Sequence, residues 1–104
     1  MNRGEVWWAE LGADAGFRPV VIVPRNESLQ RRSNVTIAEV TRLVRSLPSE
    51  VLLTRDEGMP VDCVINTDNL HTIPAERLRR RIMELSGERL FALGHSLRYS
   101  LELE

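Results

Sequence analysis

Between Glu5 and Leu85 the apolar residues recur mostly with period two, and after Ser86 the spacing changes once, to threes and fours. Alternation sends successive side chains to opposite faces of a strand, whereas the longer period gathers them along one side of a helix. The chain therefore reads as short strands closed by a single helix. Glu5–Leu11 is a strand carrying adjacent tryptophans, and Arg18–Val23 is a β-branched run of the kind buried on both faces. Val35–Leu43 and Glu50–Leu53 continue in extended character, Asp62–Asn66 and Asn69–Ile73 read as further strands or strand ends, and Arg80–Leu85 as the last strand. Gly12 to Phe17 is a connector, and Pro24–Ser28 and Asp56–Pro60 are turns. Leu90, Leu93, Leu97 and Leu101 predict an amphipathic helix over Gly87–Glu102, with Ser86 as N-cap and Glu88 in its first turn. The expected fold is mainly β with a C-terminal helix (α+β): a small, strongly bent antiparallel sheet or SH3-like barrel with the helix packed against it.

At 104 residues and 42% hydrophobic, the chain is expected to be one domain over its whole length, with room for a single core. No stretch approaches the roughly 20 apolar residues of a membrane helix, and MNRGEVWW lacks the apolar segment of a signal peptide, so a soluble cytoplasmic protein is expected. Cys63 has no cysteine to pair with, and His71 and His95 do not complete a metal-ligand spacing, so neither a metal nor another cofactor is expected. The net charge is only −1, yet all 14 basic residues are arginine. GC-rich coding favours that bias; physically, it means every cation can grip phosphate with a planar, two-pronged contact. They cluster at Arg31–Arg32, at Arg42 and Arg45, and from Arg77 to Arg81, so a near-neutral total is compatible with a positive groove.

Five pieces in order carry a resemblance: Arg3-Gly4-Glu5-Val6-Trp7, then Arg18-Pro19-Val20-Val21-Ile22-Val23, then Val40-Thr41, then Gly58-Met59-Pro60-Val61-Asp62-Cys63-Val64, then Asn69-Leu70-His71-Thr72-Ile73. They resemble, in that order, the R-G-x-[IV]-W start, the R-P-[VA]-[VL]-[VI] strand, the strand ending in Thr, the G-L-P-x-x-[SC]-V turn and the Q-I-R-T-I strand of the MazF/PemK family of toxin endoribonucleases. The resemblance spans nearly the whole chain. It implies the MazF/CcdB-like fold and metal-independent cleavage of single-stranded RNA to a 2′,3′-cyclic phosphate and a 5′-hydroxyl. It also implies a two-fold homodimer and a cognate MazE-like antitoxin whose flexible acidic and hydrophobic C-terminal segment lies in the RNA groove.

Carried over by motif, the catalytic pair is Arg18 and Thr41. In such a reaction the neighbouring 2′-hydroxyl attacks phosphorus, so the protein has to fix an in-line geometry and stabilise charge on the non-bridging oxygens. Arginine stays protonated, which suits Arg18 to electrostatic stabilisation and donation toward the leaving group rather than to base catalysis. Thr41 would hydrogen-bond a phosphate oxygen. Glu39 lies two residues before Thr41, hence on the same face of a regular strand, and is the candidate general base. Pairing with Arg18 and plain solvent exposure are its other readings. Asn26, Arg42, Asn66 and Asn69 are candidate RNA-binding residues, with turn hydrogen bonding the ordinary role of an asparagine.

Three positions depart from the family pattern. Glu39 replaces a proline or small residue, Arg42 replaces the usual serine or threonine, and the connector Ala13–Phe17 is short, with Asp14 a partial substitute for a usual glutamate. Two alternatives therefore stay open: a nuclease-dead module that binds RNA or antitoxin, and a CcdB-like gyrase inhibitor, which would need neither Arg18 nor Thr41. Of the remaining residues, Trp7 is expected in the core with Trp8 facing the other way, Cys63 as a small buried hydrophobe, and His71 and His95 at the surface or in packing.

Overall fold

A computed structural model describes residues 1–12, 16–26 and 33–103. Ala13, Asp14 and Ala15 of the short connector, the end of the Pro24–Ser28 turn and the Arg31–Arg32 pair lie outside the described residues. Six strands, β1 (Glu5–Glu10), β2 (Phe17–Ile22), β3 (Asn34–Thr41), β4 (Glu50–Leu53), β5 (Cys63–Pro74) and β6 (Leu78–Glu84), precede one helix, α1 (Gly87–Ser100). They form a single antiparallel sheet in the order β4-β5-β3-β2-β1-β6, curled into a half-barrel. The expected bent sheet with a helix against it is what the chain adopts.

Both faces of the sheet bury apolar residues. Val6, Val21, Ala38, Val40 and Ile65 pack with Leu93 of α1 in one core. Val20, Ile22, Val35 and Ile37 form a second with Ala9, flanked by Trp7 and Leu78. Alternation along β2 and β3 supplies both, which is why Val20, Val21 and Ile22 are all fully buried. Ser86 caps α1 as expected, its Oγ accepting the Arg89 N–H at 3.2 Å. Leu90 and Leu97 pack on the first core, but the helix ends at Ser100, one residue before Leu101, which is half exposed.

Gly4 is where α1 meets the sheet. Its φ is +85°, and a Cβ there would come within 2.5 Å of Leu90 Cδ2. The glycine lets the N-terminus bond both neighbours, Gly4 N–H to the Ile22 carbonyl at 2.8 Å and Leu85 N–H to the Gly4 carbonyl at 2.9 Å.

Asp62–Asn66 and Asn69–Ile73, read from sequence as strands or strand ends, are joined in β5 as one strand with a bulge. Glu39 pairs with Asn66 while the preceding Ala38 pairs with Leu70, so residues 67–69 are displaced from the ladder. The displaced Thr67 is buried: its hydroxyl bonds the Ser49 carbonyl at 2.7 Å and Ser100 Oγ at 2.7 Å. A threonine drawn under the end of α1 is thus the anchor of the bulge. The expected turn at Asp56–Pro60 begins as a short 3-10 helix, Arg55–Glu57, closed by Gly58 at φ +117°.

Candidate active site

The pairs Val20↔Glu39, Val21↔Ala38 and Ile22↔Ile37 fix the register of β2 on β3. Carried two residues further, that register brings Arg18 level with Thr41. Residues opposed across an antiparallel pair project from the same face. The face in question is the one whose apolar part is Val20, Ile22, Val35 and Ile37, so the second core that locks these strands together also aims the guanidinium and the hydroxyl to one side. β5 and β4 widen the row, with Asn66 opposite Glu39 and Glu50 opposite Asn66.

Arg18 and Thr41 both line two adjoining cavities. One, of about 220 Å³, is walled by Arg18, Glu39, Thr41, Arg45, Glu50, Asn66 and Asn69. The other, of about 540 Å³, adds an apolar wall of Trp8, Phe17, Pro19, Met59 and Pro60, with Arg42 at its side. Arg18, Glu39, Thr41, Arg42, Asn66 and Asn69 among the candidate residues therefore border this pair of cavities, and Arg18 and Thr41 border both.

Local bonds set what each side chain can offer. Thr41 Oγ1 accepts the Leu43 N–H at 3.2 Å, which ends β3 in a turn and leaves the hydroxyl proton as the group's donor. Asn66 Oδ1 accepts the Asp68 N–H at 3.0 Å, so the amide nitrogen is what this residue can present. Glu50 Oε1 accepts the Arg45 N–H at 2.9 Å, folding the loop after β3 so that Arg45 reaches the smaller cavity. Asn26 is the exception among the candidates. Its Oδ1 accepts the Arg3 N–H at 2.7 Å, tying the N-terminal segment to the end of β2, and it lines neither cavity.

Glu39 does share the face of Thr41. Its carboxylate meets a partner that spacing along the chain did not reveal: His71 Nε2 lies 2.5 Å from Glu39 Oε2. The two are 32 residues apart and become neighbours only because β3 pairs with β5. His71 is thus a site neighbour rather than a plain surface residue, whereas His95 stacks edge-on against Phe91, their ring centroids 5.3 Å apart.

The remaining ionisable groups nearby are structural. Cys63 is 2% exposed, and burial, helped by the Asp62 and Glu57 charges, pushes its thiol up to about 11, so it is a neutral hydrophobe at the cavity wall. Glu5 at the start of β1 is a buried carboxylate beside Trp7. Burial works against its charge, but bonds from Trp7 Nε1 at 2.9 Å and the Asn2 N–H at 3.1 Å, with the N-terminal ammonium and Arg81, hold it below the usual glutamate value. Trp7 accordingly packs in the second core and Trp8 faces the cavity, as adjacent strand residues must. Among the described residues no group of three or more His, Cys, Asp or Glu is arranged to hold a metal ion, and no helix is long and apolar enough to cross a membrane.

Known proteins are similar to this chain along nearly its full length. Probable endoribonuclease MazF2 of Mycobacterium tuberculosis is 43% identical over 101 residues, 96% of this chain and 97% of that protein. Probable endoribonuclease MazF5 of the same species is 32% identical over 96% of this chain and 92% of its own length. Among solved structures, M. tuberculosis toxin MazF-mt6 superposes with a TM-score of 0.87 at 31% identity, covering 96% of this chain and 98% of that one. An endoribonuclease in complex with its cognate antitoxin, from a mycobacterial species, has the same fold, with a TM-score of 0.90 at 23% identity over 100% of this chain and 97% of that one. Residues 2–101 match the family described as PemK-like, MazF-like toxin of type II toxin-antitoxin system, and the chain belongs to that family.

Proposed function

We propose that this chain is the toxin of a type II pair and an endoribonuclease that cuts single-stranded RNA without a metal, using Arg18 and Thr41. The observation that carries the reading is the juxtaposition of these two side chains across β2 and β3, on cavities they share, in a chain of this family. The guanidinium supplies fixed positive charge where the non-bridging oxygens gain negative charge. The Thr41 hydroxyl, anchored through Leu43, donates to one of those oxygens and holds the phosphodiester in line. Glu39 is the carboxylate closest along the strand and takes the proton of the attacking 2′-hydroxyl. The O2′–P bond forms, the P–O5′ bond breaks, and the departing oxygen, hydrogen-bonded by Arg18, takes its proton from solvent.

Binding falls to the rest of the wall. Arg42 and Arg45 add phosphate contacts, Asn66 and Asn69 face the bases, and Trp8 with Phe17 offers an aromatic surface for stacking. An antitoxin segment rich in acidic and apolar side chains suits the same mixture of arginines and apolar wall, so RNA and antitoxin compete for one groove. The active species is a cytoplasmic homodimer, with exposed Phe91 and Tyr99 of α1 covered across its axis. A gyrase inhibitor would not need the Arg18–Thr41 pair.

The test is incubation of purified protein with a long single-stranded RNA in EDTA, followed by end-group analysis. Cleavage with 2′,3′-cyclic phosphate and 5′-hydroxyl ends supports the reading. Binding without cutting, or cutting only after metal is restored, refutes it.

A further inference from the structure

Glu39 and His71 touch each other across the sheet. Glu39 stands where a proline or small residue is usual, and His71 stands where the Q-I-R-T-I strand has its arginine. On β5, His71 opposes Ile37, two residues before Glu39 on β3, so its ring lies on the same face as Glu39 and diagonal to it. The bulge at residues 67–69 lies just before Leu70, so the β5 residue opposite Glu39 is Asn66. His71 Nε2 and Glu39 Oε2 are 2.5 Å apart, with side-chain exposures of 46% and 24%. Around the carboxylate stand Arg18 on β2, Thr41 on β3, Asn66 and Asn69 on β5, Glu50 on β4 and Arg45 on the loop before it.

We infer that His71 is a positioning residue for RNA cleavage: its Nε2–H holds Oε2 of Glu39, so that Oε1 is the oxygen presented to the 2′-hydroxyl. This rests on the reading of Glu39 as the base. An ionised carboxylate only accepts hydrogen bonds, so the contact requires the proton to sit on Nε2. A glutamate has three freely turning side-chain bonds, and one charge-assisted hydrogen bond to a partner rooted on a paired strand removes most of that freedom. The 2′-hydroxyl proton passes to Oε1 as the O2′–P bond forms and P–O5′ breaks, while the His71 proton stays on its nitrogen throughout. His71 never touches the reacting atoms, and its effect is on the turnover of bound RNA rather than on RNA binding.

The experiment maps one cut site by fragment-end sequencing, then follows that oligonucleotide under saturating and subsaturating conditions. Glu39→Gln should lower kcat about 100-fold, the ordinary contribution of a general base. His71→Ala should lower kcat by roughly 10-fold with KM within about 2-fold, and His71→Gln, whose amide nitrogen can donate from the same place, should recover most of that loss. The Glu39→Gln/His71→Ala double variant should be no slower than Glu39→Gln alone, because His71 acts through the carboxylate. Wild-type kcat in His71→Ala beside a slow Glu39→Gln overturns the positioning role and leaves the base assignment standing. Wild-type kcat in Glu39→Gln overturns both. Independent, multiplicative losses, or a His71→Ala loss that His71→Gln does not recover, also overturn it.

Discussion

Glu57 joins three pieces of this fold, and its removal should be felt mainly as lost stability at neutral pH. Its carboxylate receives Arg89 Nε on Oε2 and Arg89 Nη2 on Oε1, both at 3.0 Å, while the Thr54 N–H and hydroxyl each reach Oε1 at 3.0 Å. The pair clamps the first turn of α1 to the 3-10 turn after β4. Exposed ion pairs are worth about 0–1 kcal/mol, but here the side chains are only 23% and 26% exposed and the geometry is two-pronged. Hydrogen bonds to charged groups contribute about 1.5–3 kcal/mol, so Glu57→Ala should cost roughly 2 kcal/mol, a fall in Tm of about 10 °C for a chain of this size. The pH dependence follows from the Arg89 bonds, which outweigh burial and hold the Glu57 carboxyl below its ordinary value of 4.5. A carboxyl depressed on folding stabilises the native state above the unfolded value, and that stability is lost as pH falls through the folded value. The Tm gap between the parent and Glu57→Gln should hence stay level through neutral pH and narrow only as the pH drops below 4.5. Differential scanning calorimetry across that range is the assay. A gap that is absent at neutral pH, or that widens in acid, refutes the reasoning.

Three other outcomes follow from single contacts. Gly4→Ala combines a left-handed backbone angle with overlap on Leu90 and should cost about 2 kcal/mol by urea unfolding. Cys63, buried and with its thiol pushed up to about 11, should resist a thiol reagent in the native protein and react fully in denaturant; rapid native labelling would contradict its placement. Thr67→Val removes the hydroxyl that pins the β5 bulge, and should cost about 1–3 kcal/mol while raising KM for RNA through the displaced Asn66 and Asn69.

The β elements were legible because period-two patterning and β-branched runs mark strands locally, and the Ser86 cap with its leucines marks α1. Strand ends were less so, since they depend on tertiary bonds: β3 stops at Thr41 because its hydroxyl captures the Leu43 N–H. The bulge in β5 was invisible, as Thr67 looks like any strand threonine until Ser49 and α1 are placed around it. Arg18 and Thr41 were singled out through their motifs, and alternation alone placed Glu39 on the Thr41 face. His71 was missed because its partner is across the sheet, and nothing in the neighbourhood of Asn26 announces its bond from the Arg3 N–H. Contacts between distant strands are the information that a pass along one chain does not contain.

The central claim is that Arg18 and Thr41 act together on one phosphodiester, and a double-mutant cycle of RNA cleavage measures that directly. Arg18→Ala should lower kcat by about 100- to 1,000-fold as a lost electrostatic donor, and Thr41→Ala by roughly 10- to 100-fold as a lost hydrogen bond to a charged oxygen. If both grip the same phosphate, the double variant falls well short of the product of the two losses. Fully multiplicative losses, or cleavage that either single variant leaves undiminished, would contradict the account.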